Sequence, residues 1–328
     1  MHPRRAFLSR AAAALVGGVA ARGGSAATPS ALVVYDPIFL EHRAEGHPER
    51  PERLTAIMRA LASLPGLRRL TPRAAAPAEL ELVHTAAHVE RMRALSAAGG
   101  GAVDADTYVT PRTFEVARQA VGALLVAVDE IATGRARNAF CAVRPPGHHA
   151  SRGRAMGFCI FNQVAVAARY AQGRTPWKRV LIADFDVHHG NGTQDVFYRD
   201  DSVFYLSVHR APFYPGTGAA AERGSGTTLN LPFALGTPRA EILGAWETAV
   251  RRIRREFSPD FVLVSAGFDA YRGDPIGGLG YEVEDYRRLM DVVVEAAPPG
   301  RIVSTLEGGY NLDALGACVA AHLAPMLA

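Results

Sequence analysis

What most constrains this chain is where its polar residues fall: directly behind short apolar runs. Residues 31–35 (A-L-V-V-Y), 139–143 (A-F-C-A-V), 180–183 (V-L-I-A), 203–206 (V-F-Y-L), 261–264 (F-V-L-V) and 302–306 (I-V-S-T-L) have the length and continuous hydrophobicity of strands covered on both faces. Longer stretches with helical patterning lie between them, clearest at 113–133, 162–172, 239–256 and 283–297. This alternation predicts an α/β fold, a mainly parallel sheet with helices on both faces. No repeat and no long linker divides the chain, so residues 28–328 are read as one domain. The Gly/Ser-rich stretch 216–228 reads as an active-site loop.

Five polar segments follow five of the predicted strands: R-P-P-G-H-H (144–149), D-F-D-V-H-H-G-N-G (184–192), S-V-H-R (207–210), S-A-G-F-D (265–269) and E-G-G-Y-N (307–311). In open α/β sheets ligands bind beyond the carboxyl ends of the strands, so these segments are expected on one rim. Asp186 and His188, two apart in an extended segment, face one point. With Asp269 they make an O, N, O set of three ligands, the number a catalytic zinc takes while keeping a place for water. Alone, D-x-H fits a strand-end turn equally well; the company of Asp269 and the histidine pair favours a metal. His148 and His149 suit the two proton transfers of amide hydrolysis, with Asp184 placed to orient one ring. Tyr310, behind two glycines, suits a hydrogen-bond donor to an oxyanion. No G-x-S-x-G elbow, P-loop or dinucleotide fingerprint competes.

Charge does not point to nucleic acid. The net charge is +4, and Arg4, Arg5, Arg10 and Arg22 account for all of it. Those arginines, Phe7-Leu8, an Ala-rich apolar stretch and Ser25-Ala26-Ala27 resemble a twin-arginine signal over residues 1–27, which predicts an exported, periplasmic enzyme. No apolar run in the body of the chain is long enough to span a membrane. Cys141, Cys159 and Cys318 form no C-x-x-C pair, and Cys141 and Cys159, in apolar runs, read as buried free thiols.

Taken together, R-P-P-G-H-H-A, G-F-C-I-F-N, D-F-D-V-H-H-G-N-G-T-Q, S-V-H-R, S-A-G-F-D-A and L-E-G-G-Y-N resemble the histone deacetylase superfamily, from about Tyr35 to the C-terminus. That group includes acetylpolyamine amidohydrolases and bacterial histone-deacetylase-like amidohydrolases. H-P-E-R-P-E-R-L (47–54) fits its first active-site loop. The resemblance implies the three-layer arginase/deacetylase fold, with one Zn2+ (Fe2+ as the alternative) on Asp186, His188 and Asp269. It implies His148 and His149 as the acid/base pair, and Tyr310 as the group that polarises the carbonyl. Gly157 and Phe158 would line a tunnel for the acyl-amine chain, with Tyr214 opposite. Asp184, Ser207 and Val208, with Asp186 and His188, match a structural K+ site. Asp104 or Asp106 is the candidate rim carboxylate.

Two departures narrow the subtype. Asn191 stands where class I members carry an Asp partner to the second histidine, a class II and bacterial pattern. Asn191 and Asp184 should therefore give His149 and His148 different basicities. Ile276 stands where a polyamine-selective branch has a glutamate. The expected substrate is an acetyl-lysine peptide or a small acylated amine, with acetylpolyamine as the alternative; the oligomeric state is open. A non-catalytic acyl-amine binder would lack a ligand or the tyrosine. A two-metal ureohydrolase would carry a carboxylate where His189, Gly190 and Asn191 follow the D-x-H unit.

Overall fold

In the computed structural model, which describes residues 31–328, the chain's long parallel sheet decides where everything else goes. The strands are β1 (Ala31–Val34), β2 (Leu67–Leu70), β3 (Gly101–Ala102), β4 (Tyr108–Val109), β5 (Asn138–Cys141), β6 (Val180–Asp184), β7 (Val203–Arg210), β8 (Thr228–Phe233), β9 (Phe261–Ala266) and β10 (Ile302–Leu306). Eight of them form one sheet in the order β2-β1-β5-β10-β9-β6-β7-β8, while β3 and β4 make a small antiparallel pair. Every pairing in the large sheet is parallel. The predicted signal, residues 1–27, lies outside the described residues.

The five strands that precede the polar motifs, β5, β10, β9, β6 and β7, are consecutive neighbours in the middle of the sheet. Their carboxyl ends thus form one continuous rim. Sequence reading did not anticipate β2 (L-R-R-L) and β8 (T-L-N-L-P-F). Both are edge strands and only partly buried. An edge strand tolerates arginines on an open face and a proline without a ladder partner; that tolerance removes the apolar signature of the inner strands.

Nine α-helices and one 3-10 helix (Pro37–Leu40) complete the described residues: α1 (Glu52–Leu61), α2 (Pro77–Leu80), α3 (Ala86–Ala97), α4 (Thr113–Ala132), α5 (Gln163–Arg174), α6 (Asn191–Phe197), α7 (Arg239–Glu256), α8 (Val283–Ala296) and α9 (Leu312–Leu327). They pack in two main groups: α4 with α5, and a second in which α1 and α8 pack on α9 and α7 packs on α8. Under the second group, Phe185, Phe268, Tyr286 and His322 form an aromatic cluster. His322 is fully buried and its Nε2 meets Ser304 Oγ at 2.8 Å. All three cysteines are buried free thiols, Cys141 and Cys159 as expected.

A buried ionic knot joins the first loop to the rim. Glu49, Arg53 and Arg144 are all fully buried. The Glu49 carboxylate accepts from Arg53 Nη1 (3.0 Å) and from Nε and Nη2 of Arg144. Arg144 also donates to the carbonyls of Phe39 and His42, each at 2.8 Å. Arg53 donates to the carbonyls of Gly309 (2.7 Å) and Glu307 (2.5 Å). Burial alone would raise the Glu49 carboxyl, but the two guanidiniums hold it down at about 2.

Two stability measurements follow. Glu49→Ala leaves two guanidiniums buried without their carboxylate and should cost about 3–5 kcal/mol in urea unfolding; a loss under 1 kcal/mol would show that the knot is not structural. Burial pushes the His322 imidazole down to about 3. The unfolded chain therefore takes up a proton near pH ~6.5 that the folded chain refuses until about 3. The cost is absent above that range and grows as pH falls through it. His322→Phe should flatten the stability–pH slope between pH ~6 and ~4 by about 1.4 kcal/mol per unit; an unchanged slope contradicts the assignment.

Candidate active site

The motif segments converge because each is fixed by backbone hydrogen bonds to its neighbour. Asp184 ends β6, and its Oδ1 accepts from Asp186 N (3.2 Å). Asp186 accepts from His188 N at Oδ1 (2.8 Å) and from Gly308 N at Oδ2 (2.8 Å). Asp269 Oδ1 accepts from Val187 N (2.9 Å). The turn after β6 is thus tied to the turns after β9 and β10. Gly308 is required here: a Cβ on it would lie 2.0 Å from Asp269 Oδ2 and 2.7 Å from Asp186 Oδ2.

Asp186, His188 and Asp269 are all buried and place their potential ligand atoms within 4.8 Å of one another. His188 Nδ1 lies 3.1 Å from Asp186 Oδ1 and 3.2 Å from Asp269 Oδ2. Asp269 Oδ2 is nevertheless left without a properly directed hydrogen bond. A buried carboxylate oxygen with no donor is costly. Burial, followed by repulsion from Asp186, raises the Asp269 carboxyl to about 6. Two carboxylates and an imidazole facing one point, one oxygen orphaned, is the donor set that a divalent cation satisfies.

The histidine pair stands beside this point, ring centroids 4.0 Å apart. His148 Nδ1 meets Asp184 Oδ2 at 3.0 Å, an oxygen that also accepts from Tyr205 Oη (3.0 Å). His149 Nδ1 meets Asn191 Oδ1 at 2.8 Å. Both partners accept only, so each Nδ1 carries the proton and each Nε2 is left for the cavity. Burial pushes both imidazoles down. Around His148 the carboxylates of Asp186, Asp184 and Glu307 outweigh it and lift the ring to about 10. His149 stays well below its ordinary value, held there by burial and by the neighbouring His148 and His188. The two rings thus shift in opposite directions, through burial, Asp186 and the neighbouring histidines more than through Asp184 and Asn191 alone.

Tyr310 follows Gly309, whose φ of +119° is the left-handed geometry that glycine supplies. Its backbone N donates to Asp274 Oδ2 (2.7 Å), and the Arg53 guanidinium lies 4.8 Å from its ring centroid. Tyr310 opens into a cavity of about 170 Å³ with His148, His149, Asp186 and His188. Gly157, Phe158, Tyr214, Asp106 and Ile276 line the same space. At Gly157 a Cβ would lie 2.4 Å from the His149 ring, so the close wall needs glycine. Asp104 caps its own turn by accepting from Asp106 N and Thr107 N, leaving Asp106 as the carboxylate in the cavity wall. Ser207 pairs with Asp184 across β6 and β7, but its hydroxyl meets His209 Nδ1 (2.9 Å); Val208 is buried beside it. A larger cleft of about 970 Å³ lies beyond Asn191 and Met156 and touches none of the three metal-facing residues.

Three residues escaped the sequence reading. Glu307 accepts from Gly147 N (2.7 Å), His148 N (3.2 Å) and Ser265 Oγ (3.0 Å), so it fixes the histidine turn. Phe213, beside Tyr214, stacks on His188 with centroids 5.1 Å apart. His47 packs edge-on against Phe158 at 4.6 Å. Glu307 lay inside a recognised motif, yet only Tyr310 was drawn from it.

Comparison with known proteins agrees with this geometry. Residues 47–326 match the family described as the histone deacetylase domain. Histone deacetylase 15 of Arabidopsis thaliana is 42% identical over 324 residues, covering 93% of this chain and 58% of that protein, so this chain spans less than two thirds of its length. A probable deacetylase of Methanothermobacter thermautotrophicus is 38% identical, covering 87% of each chain. The crystal structure of the HDA15 HD domain superposes with a TM-score of 0.86 at 40% identity, covering 92% of this chain and 89% of that one. These findings correct one expectation. The match begins at residue 47 and none of these names describes an exported protein, so the periplasmic assignment drawn from residues 1–27 is withdrawn. With the arginase/deacetylase-type α/β fold and the family match in agreement, the chain belongs to the histone deacetylase family.

Proposed function

We propose that this chain is a zinc-dependent deacetylase that hydrolyses the amide of N-acetylated, lysine-like amines to free amine and acetate. The observation that carries the reading is the orphaned Asp269 Oδ2, facing Asp186 and His188 on the floor of the cavity that Tyr310 and the histidine pair share. Asp186, His188 and Asp269 would hold the metal, Zn2+ in this reading and Fe2+ as the alternative. When bound there, the ion lowers the pKa of a water toward about 7 and polarises a carbonyl.

The chain's own residues do the rest. Phe158 and Phe213 line a narrow cavity suited to a methylene chain, and the walls exclude bulk water from the amide. His149 is neutral, with Nε2 free to take the proton of the attacking water and return it to the departing nitrogen. His148, held protonated by its carboxylates, keeps positive charge beside the developing oxyanion. The Tyr310 hydroxyl donates to the carbonyl oxygen as it gains charge. Asp106 is placed to accept from a substrate N–H at the rim. Asp184, Ser207 and Val208, with the carbonyls of Asp186 and His188, remain our proposed K+ site. The uncharged Ile276 in the cavity wall favours an acetyl-lysine peptide over an acetylpolyamine. One group among the described residues is suited to a metal, which supports a one-metal amidohydrolase over a two-metal ureohydrolase.

Tyr310→Phe should lower kcat by about 10²–10³ with metal content unchanged; loss of the metal instead would assign Tyr310 to the site's assembly. A panel of acetyl-lysine peptide, acetylputrescine, acetylspermidine and longer acyl-lysines, run on protein of measured metal content, tests the substrate. The peptide is expected to show the highest kcat/KM. No turnover of any substrate with one zinc bound per chain would sink the deacetylase reading, and preference for acetylputrescine would move it to polyamines.

A further inference from the structure

In S-V-H-R the proposed K+ site accounts for Ser207 and Val208, but Arg210 has no part in the chemistry above. It ends β7, and its backbone N donates to Val187 O (2.8 Å), the residue before His188. Its guanidinium lies 4.1 Å from the centroid of the Phe213 ring, and Nη1 donates to Gly277 O (3.3 Å). The Phe213 ring in turn stacks on the His188 imidazole, 5.1 Å between centroids and 13° from parallel.

A metal-ligating histidine is ordinarily oriented by a hydrogen bond from its other ring nitrogen. The neighbouring histidines follow that pattern: His148 is bonded to Asp184, His149 to Asn191, His189 to Thr217 and Gln194, and His209 to Ser207 and Gly218. His188 differs. Its Nδ1 faces Asp186 and Asp269, and its Nε2 has no hydrogen-bond partner among the described residues. The imidazole torsion is intrinsically broad, so without such a bond the ring needs another restraint. The flat contact with Phe213 is that restraint, and the cation over Phe213, tied to the 277 carbonyl, keeps Phe213 from swinging away.

We infer that Arg210 and Phe213 act as a stacking clamp that orients His188, so that these two positioning residues set how tightly the site holds its metal. The inference rests on the reading of Asp186, His188 and Asp269 as metal ligands. It departs from the simpler view of Phe213 as a wall of the cavity, because a wall residue affects KM and leaves metal affinity alone.

The test is zinc affinity of the full chain, measured on metal-stripped protein by competition with a chromophoric chelator. Phe213→Leu keeps an apolar side chain but removes the flat face, and should weaken zinc binding about tenfold, the low end for loss of a ligand's supporting contact. Phe213→Tyr should restore it. Arg210→Met should weaken binding in the same direction by a smaller factor, with the melting temperature of the metal-free protein unchanged. A folded Phe213→Leu protein that binds zinc like the parent, with only KM altered, overturns the clamp. Should Phe213→Leu fail to fold, parental affinity in Arg210→Met overturns it equally. If the parent itself takes up no stoichiometric zinc, the metal-site reading fails and the clamp falls with it.

Discussion

The bridge that Glu49 makes between Arg53 and Arg144 is the constraint on which the rest of the site depends. Arg144 opens the histidine turn, and Arg53 reaches the carbonyls on either side of Gly308, before Tyr310. One carboxylate from the first loop therefore sets the spacing between the histidine pair and Tyr310. Buried ion pairs give little net stability. This one is better understood as a register device. It holds two turns that share no continuous secondary structure, through charges buried away from water.

The second organising force is repulsion. Asp184, Asp186, Asp269 and Glu307 are four fully or almost fully buried carboxylates under one rim. Backbone N–H groups of Asp186, His188, Gly308, Val187, Gly147 and His148 neutralise part of that charge. His148, raised to about 10, supplies one cation. Glu307 is pushed up to about 7 by burial, because the local cations are too few. This much negative charge around an orphaned oxygen fits the proposed metal site, where a cation would offset carboxylates gathered from three strand ends.

Much of this was legible in the sequence because a polar residue in an otherwise apolar stretch has to be explained. Five such stretches behind five buried strands gave the rim, the three metal-facing residues, both histidines and Tyr310. What escaped notice was where sequence and environment agree too easily. Arg68, Arg69 and Pro232 are ordinary on a sheet edge, so β2 and β8 left no signal. Adjacent aromatics at 213 and 214 look equivalent; only packing shows that Phe213 lies on His188 and Tyr214 against His149. Asp104 and Asp106 were likewise inseparable until the turn showed which one is consumed as its cap. Two of the three donors to Glu307 are backbone N–H groups, and that kind of partner is invisible in a residue pattern.

The all-parallel order of the sheet has a consequence for how the site comes into being. Asp186 and His188 are neighbours in the chain, but Asp269 arrives from β9, Tyr310 from beyond β10, and the histidine pair from beyond β5. No hairpin or local turn can pre-form the whole constellation, because the contacts that join its separate segments each close a long loop. β10 sits between β5 and β9 and follows all the other described strands in chain order. A nascent chain lacking it has Asp186, His188 and Asp269 in its sequence but neither Gly308 nor Tyr310, and Arg53 keeps Glu49 while losing the 307 and 309 carbonyls. Convergence of these side chains is thereby deferred until β10 fills the central gap in the sheet.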